Sequence, residues 1–297
     1  MPCDQNLRAA IQEVLAPNGV WELQGNVGSL FSGSIARLPK GDVSDEERRY
    51  PTTRMGLRAF MDGFFARHYF RVQDSLLDFF ASPAFSAIVR RGTMHVADVG
   101  CGPSVASLAI LNMASVATQM MNGGSRTSGP LTVHVALNDT SDVCLDEGRR
   151  LLDRYSHSWT NPVRVGRVLP LSTPFPKSLI QLRRIVNMTT PFDVCCLGYV
   201  LIPLTEQMGT SATAEGIRQL AQMGNPRDGQ LLVTQDKFRE ELHRDICQTL
   251  CISGETVDLK QRVYDSQNQN EEQTYTYCRS CFPVAELVAA ESGMAVA

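Results

Sequence analysis

The chain of 297 residues carries 28 basic and 31 acidic side chains, and 43% of its residues are hydrophobic. That is enough apolar material for one large core or a core with an appendage, and a net charge of −3 leaves no strong nucleic-acid signal. Nine cysteines, odd in number and partly set in apolar runs, argue against a secreted disulfide framework and for a reducing, cytoplasmic setting. No run reaches the roughly 18 apolar residues of a membrane span, and Met1-Pro2-Cys3-Asp4-Gln5 lacks the order of a signal peptide.

Leu7 to Leu15 fits a short amphipathic helix that stops before Pro17-Asn18-Gly19. Gly25 to Asp45 is rich in Gly and Ser and reads as loop. Leu57 to Phe80 carries apolar and aromatic residues at helical spacing, which predicts one helix, or two with a break. His68 and Tyr69 lie on or beside that stripe, where core packing competes with an active-site role. Residues 1–90 therefore form a loop and a helical cap.

From residue 91 to 297 the pattern alternates. Strands are expected at Met94–Val99, Val133–Leu137, Pro162–Leu169, Phe192–Leu197 and Gln230–Gln235. Helices are expected at Val105–Met121, Ser141–Tyr155, Leu179–Met188 and Ala212–Met223. This predicts an α/β fold with a doubly wound, mostly parallel sheet. Gly123 to Pro130 reads as a polar insertion, and Asp265 to Gln273 as a surface loop or hairpin tip.

Three strand ends carry chemistry. Asp98-Val99-Gly100-Cys101-Gly102-Pro103-Ser104 is a strand, a tight glycine turn and a helix start, a shape that lets backbone approach a ligand. Val133 to Leu137 runs into Asn138-Asp139-Thr140-Ser141, where a carboxylate offers two acceptor oxygens to a vicinal diol and Ser141 suits a helix N-cap. Phe192 to Leu197 ends in Gly198-Tyr199, beside the first strand.

Taken in order, and with the glycine-led strand Asp228–Thr234, these segments resemble class I S-adenosylmethionine-dependent methyltransferases over roughly half the chain. The resemblance implies S-adenosyl-L-methionine as cofactor, bound by Asp98, Gly100, Cys101, Gly102, Pro103, Asn138, Asp139, Thr140, Leu197 and Gly198. It implies a Rossmann-like fold and a methyl acceptor lying against Tyr199, with Tyr69 and His68 next if the N-terminal helix forms a lid. The acceptor is a small molecule, an RNA or a protein side chain. No Asn-Pro-Pro-Tyr sequence follows the fourth strand, which disfavours exocyclic base amines. Ser104 stands where the family usually has a third glycine, as in some amine N-methyltransferases of the nicotinamide and phenylethanolamine type. The acid common after strand three is missing from Arg164 to Pro174.

Two alternatives stand beside that reading. One is a catalytically degenerate binding or scaffold protein on the same fold. The other is an NAD-type oxidoreductase, which the missing G-x-G-x-x-G spacing disfavours.

Cys247, Cys251, Cys278 and Cys281 supply either isolated thiols or a zinc set, the former favoured. Pro283 to Ala297 resembles the family's late helix, which implies that the chain stops where strand six should begin. It leaves an uncovered edge beside strand five, open to self-association or a partner. A second reading closes the sheet with a hairpin of Thr256–Tyr264 and Gln273–Cys281.

Overall fold

The computed structural model describes residues 3–23, 25–121, 130–156, 162–188, 190–198, 200–262 and 271–291. Six helices come first: α1 (Gln5–Leu15), α2 (Gly25–Arg37), α3 (Asp45–Arg49), α4 (Arg54–Phe60), α5 (Ala66–Phe80) and α6 (Pro83–Arg91). Strand and helix then alternate: β1 (Thr93–Val99), α7 (Val105–Met121), β2 (Leu131–Asn138), α8 (Asp142–Ser156), β3 (Val163–Leu171), α9 (Leu179–Met188), β4 (Val194–Gly198), α10 (Leu201–Met208), α11 (Thr210–Ala221), β5 (Gln230–Asp236) and α12 (Glu240–Leu250). A hairpin, β6 (Glu255–Arg262) and β7 (Glu272–Pro283), precedes α13 (Val284–Glu291).

The sheet runs β3-β2-β1-β4-β5-β7-β6, with β1 to β5 parallel and β7 antiparallel to both neighbours. Alternation along the strands splits its side chains between two cores. Met94, Val96, Cys196, Leu232 and Tyr277 pack with α1, α2 and α4 to α8, whereas Ala97, Val99, Leu197 and Val233 pack with α9 to α13. The N-terminal helices therefore share one core with α7 and the sheet. Strand order reverses between β1 and β4, and the crevice at their carboxyl ends is where open α/β sheets bind ligands.

Two expectations fail. Gly25–Arg37 is a helix: Val27, Leu30, Phe31 and Ser34 form a buried stripe that Gly and Ser at the other positions conceal. Its small residues let it approach α8, where buried Glu147 holds Ser34 Oγ, Arg37 at 2.9 Å and Arg150 at 2.6 Å. The sheet also does not stop at β5. β7 pairs with it from Gln230↔Pro283 to Asp236↔Tyr277, so the expected open edge is filled from within the chain. The hairpin reading holds, because Tyr277, Cys278, Ser280 and Phe282 are buried.

The helix predicted over Leu57–Phe80 has its break at Met61–Phe65, a π-turn between α4 and α5. Gly123 to Gly129 and Asp265 to Asn270 lie outside the described residues, and Glu272 and Gln273, expected in the hairpin tip, begin β7. Among the described residues no helix is long and apolar enough to cross a membrane.

Candidate cofactor and acceptor site

The turn after β1 is shaped by three left-handed residues, Gly100 (φ 64°), Gly102 (φ 50°) and Ser104 (φ 61°). Gly100 has a second reason to be glycine: a Cβ there would lie 1.7 Å from Val200 Cγ1. Gly102 is less confined, with Phe60 Cζ 3.7 Å from its Cβ position. Ser104 fits because Gly148 on α8 leaves room, its own Cβ position being 2.2 Å from Ser104 Oγ. That hydroxyl is fully buried with no hydrogen-bond partner among the described residues. A non-glycine residue in this region costs roughly 1–2 kcal/mol, so the turn is strained where the third glycine is missing. Cys101 and Pro103 are buried inside the turn.

Asp98 is buried. Its Oδ2 accepts Ser107 N at 3.0 Å and Ser107 Oγ at 2.6 Å, capping the first turn of α7. Burial pushes its carboxyl up to about 6 against those two hydrogen bonds, with the Asp139 charge adding to the rise. Asn138 is also a positioning residue. Its amide donates to Leu171 O and Thr173 O, and its Oδ1 accepts from Ser178 Oγ, so it fastens the chain after β3. Its backbone carbonyl accepts from Gly100 N and Cys101 N.

Asp139 is where the turn and β2 meet. Oδ2 accepts Gly102 N at 2.8 Å and Oδ1 accepts Ser141 N at 2.9 Å. Burial raises its pKa, opposed by the N–H groups of Ser141, Gly102 and Thr140. Ser141 Oγ accepts Cys144 N at 3.3 Å, the N-cap contact expected for α8. Thr140 is exposed beside it.

At the end of β4, Leu197 belongs to the core under α10 and α11, and Gly198 is half-buried at the rim. Tyr199 lies outside the described residues. Tyr69 is 1% exposed, stacks on Phe65 and accepts from Gln73 Nε2 at 3.2 Å. It is a core phenol, and the active-site role expected of it has no support in this placement. His68 is half-buried against Phe60 and Phe64 at 5.6 and 5.9 Å between ring centroids.

Sequence reasoning missed the network that ties α5 to the hairpin. Arg71, 1% exposed, pairs with Asp236 at 2.5 Å and lies over the Tyr277 ring. Asp74 accepts from Tyr277 OH at 2.8 Å and from Arg279 Nη1 at 2.7 Å. These partners are about 165 to 205 positions apart in sequence, so no local motif announces them; the signal available was charge inside an otherwise apolar helical stripe.

Among the described residues no group of three or more His, Cys, Asp and Glu is placed to hold a metal ion. Cys278 and Cys281 are three residues apart on a strand and so face opposite sides of the sheet. Cys247 instead contacts Ser280 Oγ at 3.1 Å, and Ser280 Oγ lies 3.3 Å from His243 Nε2. Cys251 is exposed at the end of α12.

No protein-family model and no curated protein matches the chain. Solved structures do. Cofactor-bound Rv0187 from MTB is 11% identical, over 96% of this chain and 99% of that one, with a TM-score of 0.42. Magnesium protoporphyrin IX methyltransferase from Synechocystis with bound SAM is 13% identical, over 94% and 100%, with a TM-score of 0.36. A SAM-dependent methyltransferase from Agrobacterium tumefaciens is 11% identical over 67% of this chain, with a TM-score of 0.37, and the match spans 60% of that protein's length. The fold assignment rests on the strand order itself, with β7 as the one reversed strand between β5 and β6. The chain has a class I methyltransferase fold.

Proposed function

We propose that the chain transfers a methyl group from S-adenosylmethionine to an acceptor seated at the carboxyl end of β4. One observation carries this reading. Beside the strand-order reversal, the glycine turn after β1 and the carboxylate after β2 are hydrogen-bonded together through Gly102 N and Asp139 Oδ2. The residues suit that donor. A carboxylate has about four acceptor sites, so Asp139, after serving the N–H groups of Ser141, Gly102 and Thr140, keeps a lone pair for a ribose hydroxyl. Gly100 and Gly102 bring main chain to the crevice without a Cβ, and Asp98 and Asn138 hold that main chain in place. When bound, the sulfonium supplies an activated methyl carbon. The protein's task is then to orient the acceptor and exclude water.

The scaffold reading has one observation in its favour: Val200 packs directly on Gly100, where a ligand would approach. Titration calorimetry separates the two. S-adenosylmethionine is expected to bind one to one in the micromolar range and NAD not to bind. Heat from NAD alone, or from neither, overturns the methyl-transfer reading.

A further inference from the structure

α4, the π-turn and α5 form one rod laid across the carboxyl ends of the strands. One fixed point is Phe60, above Gly102 at the end of β1. The other is Arg71, ion-paired to Asp236 at the end of β5. Arg67 stands one turn before Arg71 on α5, so it lies between those anchors. Its guanidinium carbon is 4.3 Å from the Tyr275 ring centre and 5.7 Å from that of Phe64. β7 outruns β5 here. Tyr277 pairs with Asp236, the last residue of β5, and Tyr275 is two residues further out on the same face. Arg67 is thereby placed just beyond the carboxyl end of β5, at the rim of the crevice.

What sets Arg67 apart is its lack of an oxygen. Arg8, Arg58, Arg71, Arg218, Arg262 and Arg279 are the other buried or half-buried arginines among the described residues, and each meets a carboxylate or a carbonyl. Arg67 has neither, and its Nε is buried with no hydrogen-bond partner among the described residues. The acids of the neighbouring network are committed elsewhere, Asp236 to Arg71 and Asp74 to Arg279 and Tyr277. Ring contacts supply no acceptor oxygen, so a charged donor is left desolvated and unmatched, which is costly. Phe64, Arg67 and Tyr275 are all half-buried, so a ligand can reach them from solvent.

Resting on the methyl-transfer reading above, we propose that the acceptor is an anion whose carboxylate or phosphate is held by Arg67 beside Phe64 and Tyr275. The guanidinium fork meets two oxygens of such a group at once, which fixes its orientation as well as its place. The two rings keep water from the pair, and a drier pair is a stronger one. The anionic end then sits at the β5 side of the crevice, and the reacting end of the acceptor points along the rod toward the β1–β2 corner. A neutral molecule forgoes this contact and leaves the Arg67 donor unmatched, so the site selects for charge through a penalty as well as an attraction.

The probes are benzoate and phenyl phosphate, with benzamide as the neutral control. In a proton–nitrogen NMR spectrum of the arginine Nε–H groups of the full chain, the Arg67 signal is assigned by its loss in Arg67→Gln. That signal is expected to move on titration with either anion and to stay in place with benzamide, and the tighter anion tells carboxylate from phosphate. By saturation-transfer NMR, Arg67→Gln should weaken anion binding roughly 10- to 100-fold, the worth of hydrogen bonds between charged groups. Arg262→Gln, which removes a half-buried arginine that has its own carboxylate, should leave anion binding unchanged. Saturating S-adenosylmethionine should leave the anion bound, as separate donor and acceptor subsites require. No movement of the Arg67 signal with either anion, equal movement with benzamide, or displacement of the anion by the donor would overturn the proposal; displacement would assign Arg67 to the donor's own carboxylate. Anion binding at Arg67 with no donor binding would sink the methyl-transfer reading while leaving the anion site standing.

Discussion

At the carboxyl edge of the sheet, the β1–β2 corner is made of backbone and the β5–β7 corner is made of side chains. In the first, Gly100, Gly102 and Ser104 set the path, and Asp139 and Asp98 bind N–H groups within 40 residues of themselves. In the second, Arg71, Asp236, Asp74, Tyr277 and Arg279 come from three elements far apart in the chain. The first corner can hold a ligand through main-chain geometry and tolerates little change of shape. The second fixes α5 in place and tolerates change only if its charges stay paired.

Four substitutions probe that contrast, the largest effect first. Arg71→Ala leaves Asp236 without its cation and opens a space beneath α5. Breaking a buried pair in this way costs roughly 3–5 kcal/mol, read from urea unfolding; Arg71→Met with Asp236→Leu should recover much of it. Gly100→Ala meets both a left-handed backbone and Val200. Left-handed strain and overpacking together cost roughly 2–5 kcal/mol, and Val200→Ala in the same chain should relieve the steric part. A double-mutant cycle with no coupling would sink the contact account of this corner.

Asp98 gives a pH signature. Its folded pKa, about 6 against an ordinary 3.8, is raised, so its contribution is fully present below pH 3.8 and is lost as pH rises through 6. A shift of that size corresponds to about 3 kcal/mol. Asp98→Asn keeps an acceptor for Ser107 and should remove that part of the pH dependence, measured as the difference between the two proteins' urea midpoints from pH 4 to 8. Ser104→Gly is the smallest. It relieves a left-handed non-glycine residue and deletes an unpartnered buried hydroxyl. A gain of about 1 kcal/mol is expected, visible as a rise in Tm; a fall would mean that packing on Gly148 outweighs both.

The same contrast marks what could be read from the sequence. The β1–β2 corner was legible because its chemistry is local: an apolar strand, an acid and a glycine turn recur at short spacing, and Ser141 caps α8 as expected. The strands from β1 to β5 were legible for the same reason. Asp98 and Asn138 were recognised as important, but their positioning roles depend on Ser107, Leu171, Thr173 and Ser178, which sequence spacing does not supply. Tyr69 and His68 are neighbours on one stripe, and only the packed helix shows one phenol inside the core and one imidazole at its edge. α2 was hidden by its small residues. The closing hairpin is harder to read from sequence, because its two strands are polar-edged and the pairing of β7 with β5 is long-range.

The central claim is that the turn from Asp98 to Ser107 and the stretch from Leu137 to Ser141 together hold S-adenosylmethionine. Hydrogen exchange with and without that ligand tests it most directly. Slowed exchange is predicted in peptides covering Gly100 to Ser107 and Asn138 to Ser141, with α9, α11 and α13 unchanged. Protection confined to the α9–α11 face, or none at saturating ligand, would contradict it.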